Sequence, residues 1–249
     1  MLSLSKIHFN YGGVQAVSEF NMTVEKGSIT SLIGPNGAGK TTTFNLICGE
    51  IHPHQGQIFF SGKEIDRLSP HQIAALGISR TFQNIRLFPS LTVREHIAVS
   101  QYIRYSSSLI EAILEIPLYR EERRMVAQRT DEIMAKVGLE EYADEPAINL
   151  PYGLQRRVEF ARALAVGTVL MLLDEPTAGM NIQESNEMMG LIQSLTNLGM
   201  TILLVEHDMR VVMSISSKVW VMDQGMIIAS GTPDEIKQDP RVIKAYLGE

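Results

Sequence analysis

The sequence is short of cysteine, of positive charge and of long apolar runs, and each shortage closes off a class of protein. Cys48 is the single cysteine, so no internal disulfide can form and a reducing compartment is implied. It lies on the apolar side of a helix-like stretch and is expected to be a buried core residue rather than a reactive thiol. Acidic residues outnumber basic ones by 28 to 22, a net charge of −6 that argues against a dedicated nucleic-acid binder. The longest apolar run, 164–173, is broken by Gly167 and Thr168 and falls short of the ~18 residues a membrane span requires. Residues 1–7 alternate polar and apolar like a strand, without the basic start, continuous apolar stretch or small-residue cleavage site of a secretory leader. The expectation is a chain that stays in the cytoplasm unless a partner holds it at a membrane. No internal repeat or low-complexity tract stands out, and His8, His52, His54, His71 and His96 have no metal-cluster spacing, so they read as structural or surface residues.

What the chain has is a globular composition, 45% hydrophobic and 20% charged over 249 residues, sufficient for one large core or two unequal lobes. Short strands are expected over 2–9, 17–24, 28–33 and 57–60, with a further strand-like run at 78–82. From about residue 84 to 166 the period becomes helical, over 92–102, 120–137 and 151–166. Strands return at 168–173, 201–205, 218–222 and 226–229, with an amphipathic helix at 181–198. This pattern predicts an α/β core, 1–83 and 167–249, interrupted by a helical lobe at 84–166.

Gly34-Pro35-Asn36-Gly37-Ala38-Gly39-Lys40-Thr41 matches the phosphate-loop pattern G-x-x-x-x-G-K-[ST], with an apolar strand before it and a helix after it. The glycines let backbone N–H groups close around an anion, Lys40 supplies a cation for the terminal phosphates, and the Thr41 hydroxyl can ligate Mg²⁺. A second apolar strand ends in Asp174-Glu175. In open parallel sheets ligands bind beyond the carboxyl ends of strands, so this pair is expected on the rim that carries the phosphate loop. Asp174 would hold Mg²⁺ through water, and Glu175 would orient or deprotonate the attacking water. A third strand ends in Glu206-His207-Asp208. His207 there can donate to a γ-phosphate oxygen or fix the attacking water, where an isolated histidine would read as a cap or core-edge residue.

With these pieces in order, the whole chain resembles the nucleotide-binding subunits of ATP-binding-cassette (ABC) transporters. The sequence of elements is Tyr11, the phosphate loop, Gln83, a segment at 150–157, Asp174-Glu175 and His207. Arg80-Thr81-Phe82-Gln83-Asn84, a Tyr-Gly followed by Gln-Arg-Arg, and the terminal Ala245-Tyr246-Leu247-Gly248-Glu249 are similar to the ATPases of bacterial branched-chain amino acid importers. The resemblance implies a P-loop NTPase core with an antiparallel β subdomain and an inserted α-helical subdomain. It implies ATP and Mg²⁺, with nucleotide contacts at Gly34, Asn36, Gly37, Ala38, Gly39, Lys40, Thr41 and Thr42, and adenine stacked on Tyr11. Gln83 would touch both Mg²⁺ and the attacking water. Two cassettes would pair head to tail, each phosphate loop closed by the other's signature segment and each meeting the loop 178–181, here Ala178-Gly179-Met180-Asn181. The implied partners are transmembrane permease subunits, with a periplasmic solute-binding protein acting indirectly and no nucleic acid, on the cytoplasmic face of the inner membrane. Alternatives are the ATPase of a lipid or lipopolysaccharide exporter and, further off, a non-transport ABC ATPase.

One segment departs from the family's usual Leu-Ser-Gly-Gly-Gln. Leu150-Pro151-Tyr152-Gly153-Leu154-Gln155 keeps only Leu150 and Gly153 in register, with Gln155 one place late. Pro151 suits a first helical position, where no N–H is required, so the partner's phosphate would meet the segment Pro151-Tyr152-Gly153 through backbone N–H groups of the helix start rather than a serine hydroxyl. Ile85, Leu87 and Phe88 either line a groove for a short helix of a membrane partner or pack the joint between lobe and core. The methionines, Met180, Met188, Met189, Met209 and Met213 among them, read as core filler.

Overall fold

Alternating burial along the first strands builds an antiparallel sheet with one face in the core. The computed structural model describes residues 1–81, 85–102 and 117–247. In it β1 (Leu2–Tyr11) and β2 (Val14–Val24) form a hairpin turned by Gly12-Gly13, with Gly12 at φ 57°. A later strand, β4 (Gln55–Phe60), pairs with β1, and the two-residue β5 (Lys63–Glu64) completes the order β2-β1-β4-β5. The first two strands run longer than apolar alternation alone marks out, because cross-strand pairing continues into polar residues down to Tyr11–Val14.

The second sheet is mostly parallel and mostly apolar inside. β3 (Ile29–Ile33), β7 (Leu170–Asp174) and β8 (Thr201–Val205) are buried at every position, as expected of strands covered on both faces. With β6 (Ile78–Arg80), β9 (Lys218–Asp223) and β10 (Met226–Gly231) they form the order β10-β9-β3-β8-β7-β6, in which only the β9–β10 pair is antiparallel. β7 starts two residues later than the apolar run, since Thr168 instead donates its hydroxyl to the Ala163 carbonyl. Helix α1 (Lys40–Ile47) buries Phe44, Leu46 and Ile47 among side chains of both sheets. A helix surrounded in this way has no solvent stripe to show in its sequence. Short helices α2 (Pro70–Ala75), α7 (Met209–Ile215), α8 (Pro233–Gln238) and α9 (Pro240–Leu247) were not foreseen; α6 (Ile182–Asn197) was. Among them α2 and α8 open with capping boxes, Ser69 with Gln72 and Thr232 with Glu235, a local signal that their few apolar residues did not reinforce. Asn181 caps α6 by accepting from the Glu184 N–H, a bond that needs only its amide oxygen.

The chain divides into two compact units, Met1–Arg80 with Val169–Glu249, and Thr81–Thr168. Among its described residues the second unit holds α3 (Val93–Gln101), α4 (Pro117–Val137) and α5 (Tyr152–Val166), with short 3₁₀ turns at Glu140–Tyr142 and Ala147–Asn149. Pro151 is the residue before the first helical one, not the first: its extended backbone (φ −52°, ψ 150°) lets its carbonyl accept from Leu154 and Gln155. Cys48 is half-buried rather than the fully buried residue expected, and burial pushes its thiol up to about 12, which keeps it protonated. Of the five methionines singled out, only Met188 is fully buried; Met209 and Met213 pack partly exposed against the core.

His96 is a satisfied core histidine. The Phe88 N–H donates to its Nε2 (2.9 Å), so the neutral ring carries its proton on Nδ1 and donates to the Thr92 carbonyl (2.8 Å). Burial lowers its pKa from 6.5, against the Thr92 carbonyl, which favours the cation. The unfolded chain therefore takes up the proton first: the contribution to stability is intact above the unfolded value and is lost as pH falls below it toward the folded value. Protonation also puts a hydrogen on Nε2 and expels the Phe88 amide. Hydrogen exchange should show Phe88 protection falling as the pH drops below the ordinary histidine value of 6.5, after correction for intrinsic rates. Protection that stays flat as the pH falls, until the chain unfolds, would contradict this role.

Candidate functional site

Parallel register sets the site. Leu32 and Asp174 both pair with Val205, so β3, β8 and β7 end in one row, and the residues that follow them emerge on the same rim. After β3 comes the phosphate loop, after β7 Glu175, and after β8 Glu206 and His207. The expected convergence of loop, Asp174, Glu175 and His207 is what the strand ends provide.

The loop is held by close backbone approach. Gly34 has φ 153°, and a Cβ there would lie 1.9 Å from the Met222 carbonyl oxygen of β9. Gly39, at φ 108°, would place a Cβ 2.5 Å from the Ala16 carbonyl oxygen of β2. The Gly225 N–H donates to the Ala38 carbonyl (2.9 Å), fastening the loop to the β9–β10 turn. Gly39 is also the N-cap of α1 and has no side chain to cap it, so the first-turn N–H groups are left to an anion. Asn36, Gly37 and Thr41 are exposed, whereas Ala38 and Thr42 are buried. Lys40 folds back over the loop, Nζ donating to the carbonyls of Gly34 (2.7 Å) and Pro35 (2.9 Å). Its pKa is lowered by burial, opposed by the nearby charges of Glu175 and then Asp174.

The carboxylates have unequal surroundings. Asp174 is buried and its Oδ2 accepts from Arg80 (2.8 Å). Glu175 has a left-handed backbone (φ 49°), held by its N–H to the Val205 carbonyl (2.9 Å) and by the Ala178 N–H to its own carbonyl (3.1 Å). His207 Nδ1 is 3.7 Å from Glu175 Oε1, a gap suited to a shared water or phosphate oxygen. Glu206, fully buried, accepts from the Thr177 N–H (3.1 Å) and hydroxyl and from the His207 N–H (3.1 Å), so it ties the turn after β7 to the turn after β8. Sequence reasoning passed over Glu206 and Arg80; their only signal was adjacency to the chosen residues.

Tyr11 is half-exposed at the hairpin tip, edge-on to Phe9 (centroids 4.9 Å apart), on the strand pair that meets the loop at Ala16. Gln83 lies outside the described residues. Pro151, Tyr152 and Gly153 belong to the second unit. There the Tyr152 hydroxyl accepts from Arg156 (2.9 Å), whose guanidinium also bonds Glu159 (3.0 Å), and Gln155 donates to the carbonyls of Ile148 (3.0 Å) and Leu150 (2.8 Å). Gln155 thus fixes the turn ahead of α5. Tyr152 and Ile148 are exposed, while Arg156 and Glu159 are buried.

No group of three or more His, Cys, Asp or Glu among the described residues could by itself hold a metal ion. Magnesium asks for only one or two protein oxygens together with phosphates and waters, and exposed Thr41 and buried Asp174 beside the loop are oxygen donors of that kind. No helix among the described residues is long and apolar enough to cross a membrane.

A strand–glycine loop–helix with an Asp-Glu strand end two strands away defines a nucleoside-triphosphate-binding core, and comparison with known proteins makes the class specific. The family model described as ABC transporter matches residues 17–178, and that described as branched-chain amino acid ATP-binding cassette transporter matches residues 226–249. The chain is 42% identical over 250 residues to the high-affinity branched-chain amino acid transport ATP-binding protein LivG of Escherichia coli (strain K12), covering 100% of this chain and 98% of that one. It is 34% identical over 251 residues, with the same coverages, to the lipopolysaccharide export system ATP-binding protein LptB of Haemophilus influenzae. A crystal structure of a nucleotide-free ATP-binding cassette from an ABC transporter superposes with TM-score 0.86 at 28% identity, covering 100% of this chain and 99% of that one. The chain belongs to the ABC transporter family, as an ATP-binding, ATP-hydrolysing cassette with the P-loop fold its sequence implied.

The steric limits of the loop give a direct test. Gly34→Ala must move the β9 backbone and should cost about 3 kcal/mol or more, or prevent folding. Gly37→Ala meets nothing within 4 Å and should cost only the positive-φ strain, about 1–2 kcal/mol. Equal costs in urea unfolding would contradict this account of the loop.

Proposed function

We propose that this cassette powers movement of branched-chain amino acids through separate transmembrane subunits, working from the cytoplasmic face of the inner membrane with a solute-binding protein delivering cargo. The observation that carries the chemistry is the row of strand ends that brings the phosphate loop, Asp174, Glu175 and His207 to one rim. The likeness to LivG and the match at 226–249 support the cargo, and the lower identity to LptB ranks export second.

In this reading the ATP-binding core with its β subdomain, expected over 1–83 and 167–249, corresponds to the first unit, and the helical signature subdomain, expected over 84–166, to the second, whose bounds are Thr81 and Thr168. The loop amides of Gly34, Asn36, Gly37, Ala38 and Gly39 bind the phosphates; Lys40 leaves the loop carbonyls for the terminal phosphate, and Thr41 and Thr42 follow at the start of α1. Tyr11 stacks on adenine. Magnesium, held by Thr41, Gln83 and, through water, Asp174, would draw charge from the β- and γ-phosphates. Glu175 takes a proton from the water that attacks the γ-phosphorus as the bond to the β–γ bridging oxygen breaks. His207 holds a γ-phosphate oxygen or that water, and its place beside Glu175 suits either.

A second cassette, itself or a sister, pairs head to tail and presents Pro151, Tyr152 and Gly153 to this phosphate loop. ATP favours the closed pair, and hydrolysis releases it.

Purified Glu175→Gln should bind ATP, fail to hydrolyse it, and shift from monomer to dimer by light scattering only with ATP. Binding without a shift would reject self-pairing. Reconstitution with the membrane subunits should give ATP-dependent uptake of leucine, isoleucine or valine; lipid extraction instead would move the assignment to export.

A further inference from the structure

Arg80 ends β6 with its side chain buried, 8% exposed, beside the carboxylate expected to serve the metal. Its guanidinium is fixed on several sides. Nη2 donates to Asp174 Oδ2 at 2.8 Å, and Nη1 donates to Asn45 Oδ1 at 2.7 Å and lies 3.4 Å from Glu50 Oε1. The plane also sits 5.5 Å from the centroid of the Phe44 ring, so α1 holds the cation that meets Asp174. A carboxylate torsion is broad when unrestrained, and a bond from a guanidinium held in this way narrows it.

We propose that Arg80 is a positioning residue for Asp174: it pins Oδ2, leaves Oδ1 to the metal's water, and offsets enough negative charge to keep Asp174 from ligating the metal directly. This rests on the metal–nucleotide reading above. Two effects oppose one another when Arg80 is removed. Loss of orientation slows turnover, whereas loss of a positive charge next to the metal's carboxylate strengthens the attraction for a dication. The charge effect decides the binding, because a dication feels the missing charge over a short, poorly hydrated path, while orientation depends on a single bond. Tighter metal and slower hydrolysis together distinguish this role from a merely structural one, which would loosen metal and nucleotide alike.

The test is binding of a fluorescent ATP analogue to the full chain, titrated with Mg²⁺ and repeated without metal, beside steady-state turnover. Arg80→Met should lower the Mg²⁺ concentration at half-saturation about tenfold, leave metal-free nucleotide affinity within about threefold, and lower kcat about tenfold. Arg80→Lys keeps the charge but cannot reach Asp174 and Asn45 with one fork, so half-saturation should stay at the wild-type value while kcat falls about threefold or more. Unchanged or weakened Mg²⁺ dependence in Arg80→Met overturns the proposal. If Arg80→Met does not fold, Arg80→Lys decides, and unchanged turnover or weaker Mg²⁺ binding overturns it. A wild-type chain whose nucleotide binding ignores Mg²⁺ rejects the metal–nucleotide reading and this inference with it; Mg²⁺ dependence in wild type that Arg80→Met leaves unchanged rejects only the inference.

Discussion

Leu32, Val205 and Asp174 fall in one row because three buried strands run parallel and in register, and every chemical group of the rim inherits its place from that row. A slip of one residue in β7 would turn Asp174 to the opposite face of the sheet and carry Glu175 with it. Such a slip is opposed by the strands themselves. Leu170, Met171, Leu172 and Leu173 are buried on both faces, and their neighbours Ile202, Leu203 and Leu204 leave no room for a shifted set. The precision of the site is thus a consequence of apolar packing, although no apolar side chain takes part in the chemistry.

The phosphate loop depends on the same sheet in another way. Backbone carbonyls of Met222 and Ala16 press against Gly34 and Gly39, so two glycines are required for contact with the protein before any ligand is considered. Gly37 faces open space and needs its glycine only for a positive φ of 82°. The motif therefore combines different constraints under one letter: close approach at Gly34 and Gly39, conformation at Gly37. Because the carbonyls come from β9 and β2, the loop is also where the parallel sheet and the antiparallel sheet are joined.

These constraints explain what could be read from the sequence. Strands β7 and β8 announce themselves as short apolar runs and β3 as a buried strand ahead of the loop motif, and the polar residues that follow β7 and β8 name the site. The loop motif adds a helix so largely buried that little periodicity shows in its sequence. What stayed hidden depended on pairing across long separations. Arg80 and Asp174 are 94 residues apart, and nothing local tells an arginine that it will meet a buried carboxylate. Glu206 stood beside His207 in plain sight, but its role requires Thr177, 29 residues earlier, which only the β7–β8 pairing brings near. Pro151 illustrates the smaller error of a boundary: proline's fixed φ suits the first helical position and the residue before it equally, and ψ decides between them.

A pattern of support recurs in both units. Asp174 is backed by Arg80, the turns bearing Glu175 and His207 by Glu206, and exposed Tyr152 by the buried pair Arg156–Glu159. Burying a charge costs hydration that a single partner seldom returns in full, so these pairs are poor choices if stability alone is at stake. They make sense as orientation. Burial raises the pKa of Glu159, and Arg156 opposes that shift while donating to the Tyr152 hydroxyl, which keeps the ring over its own guanidinium (5.4 Å to the centroid). At this position the family usually has small residues, and the chain instead carries an aromatic whose hydroxyl is already engaged within the unit. The Tyr152 side chain is therefore committed to its own helix, and the start of α5 is left with uncapped backbone amides, Pro151 preceding the helix and offering no N–H of its own.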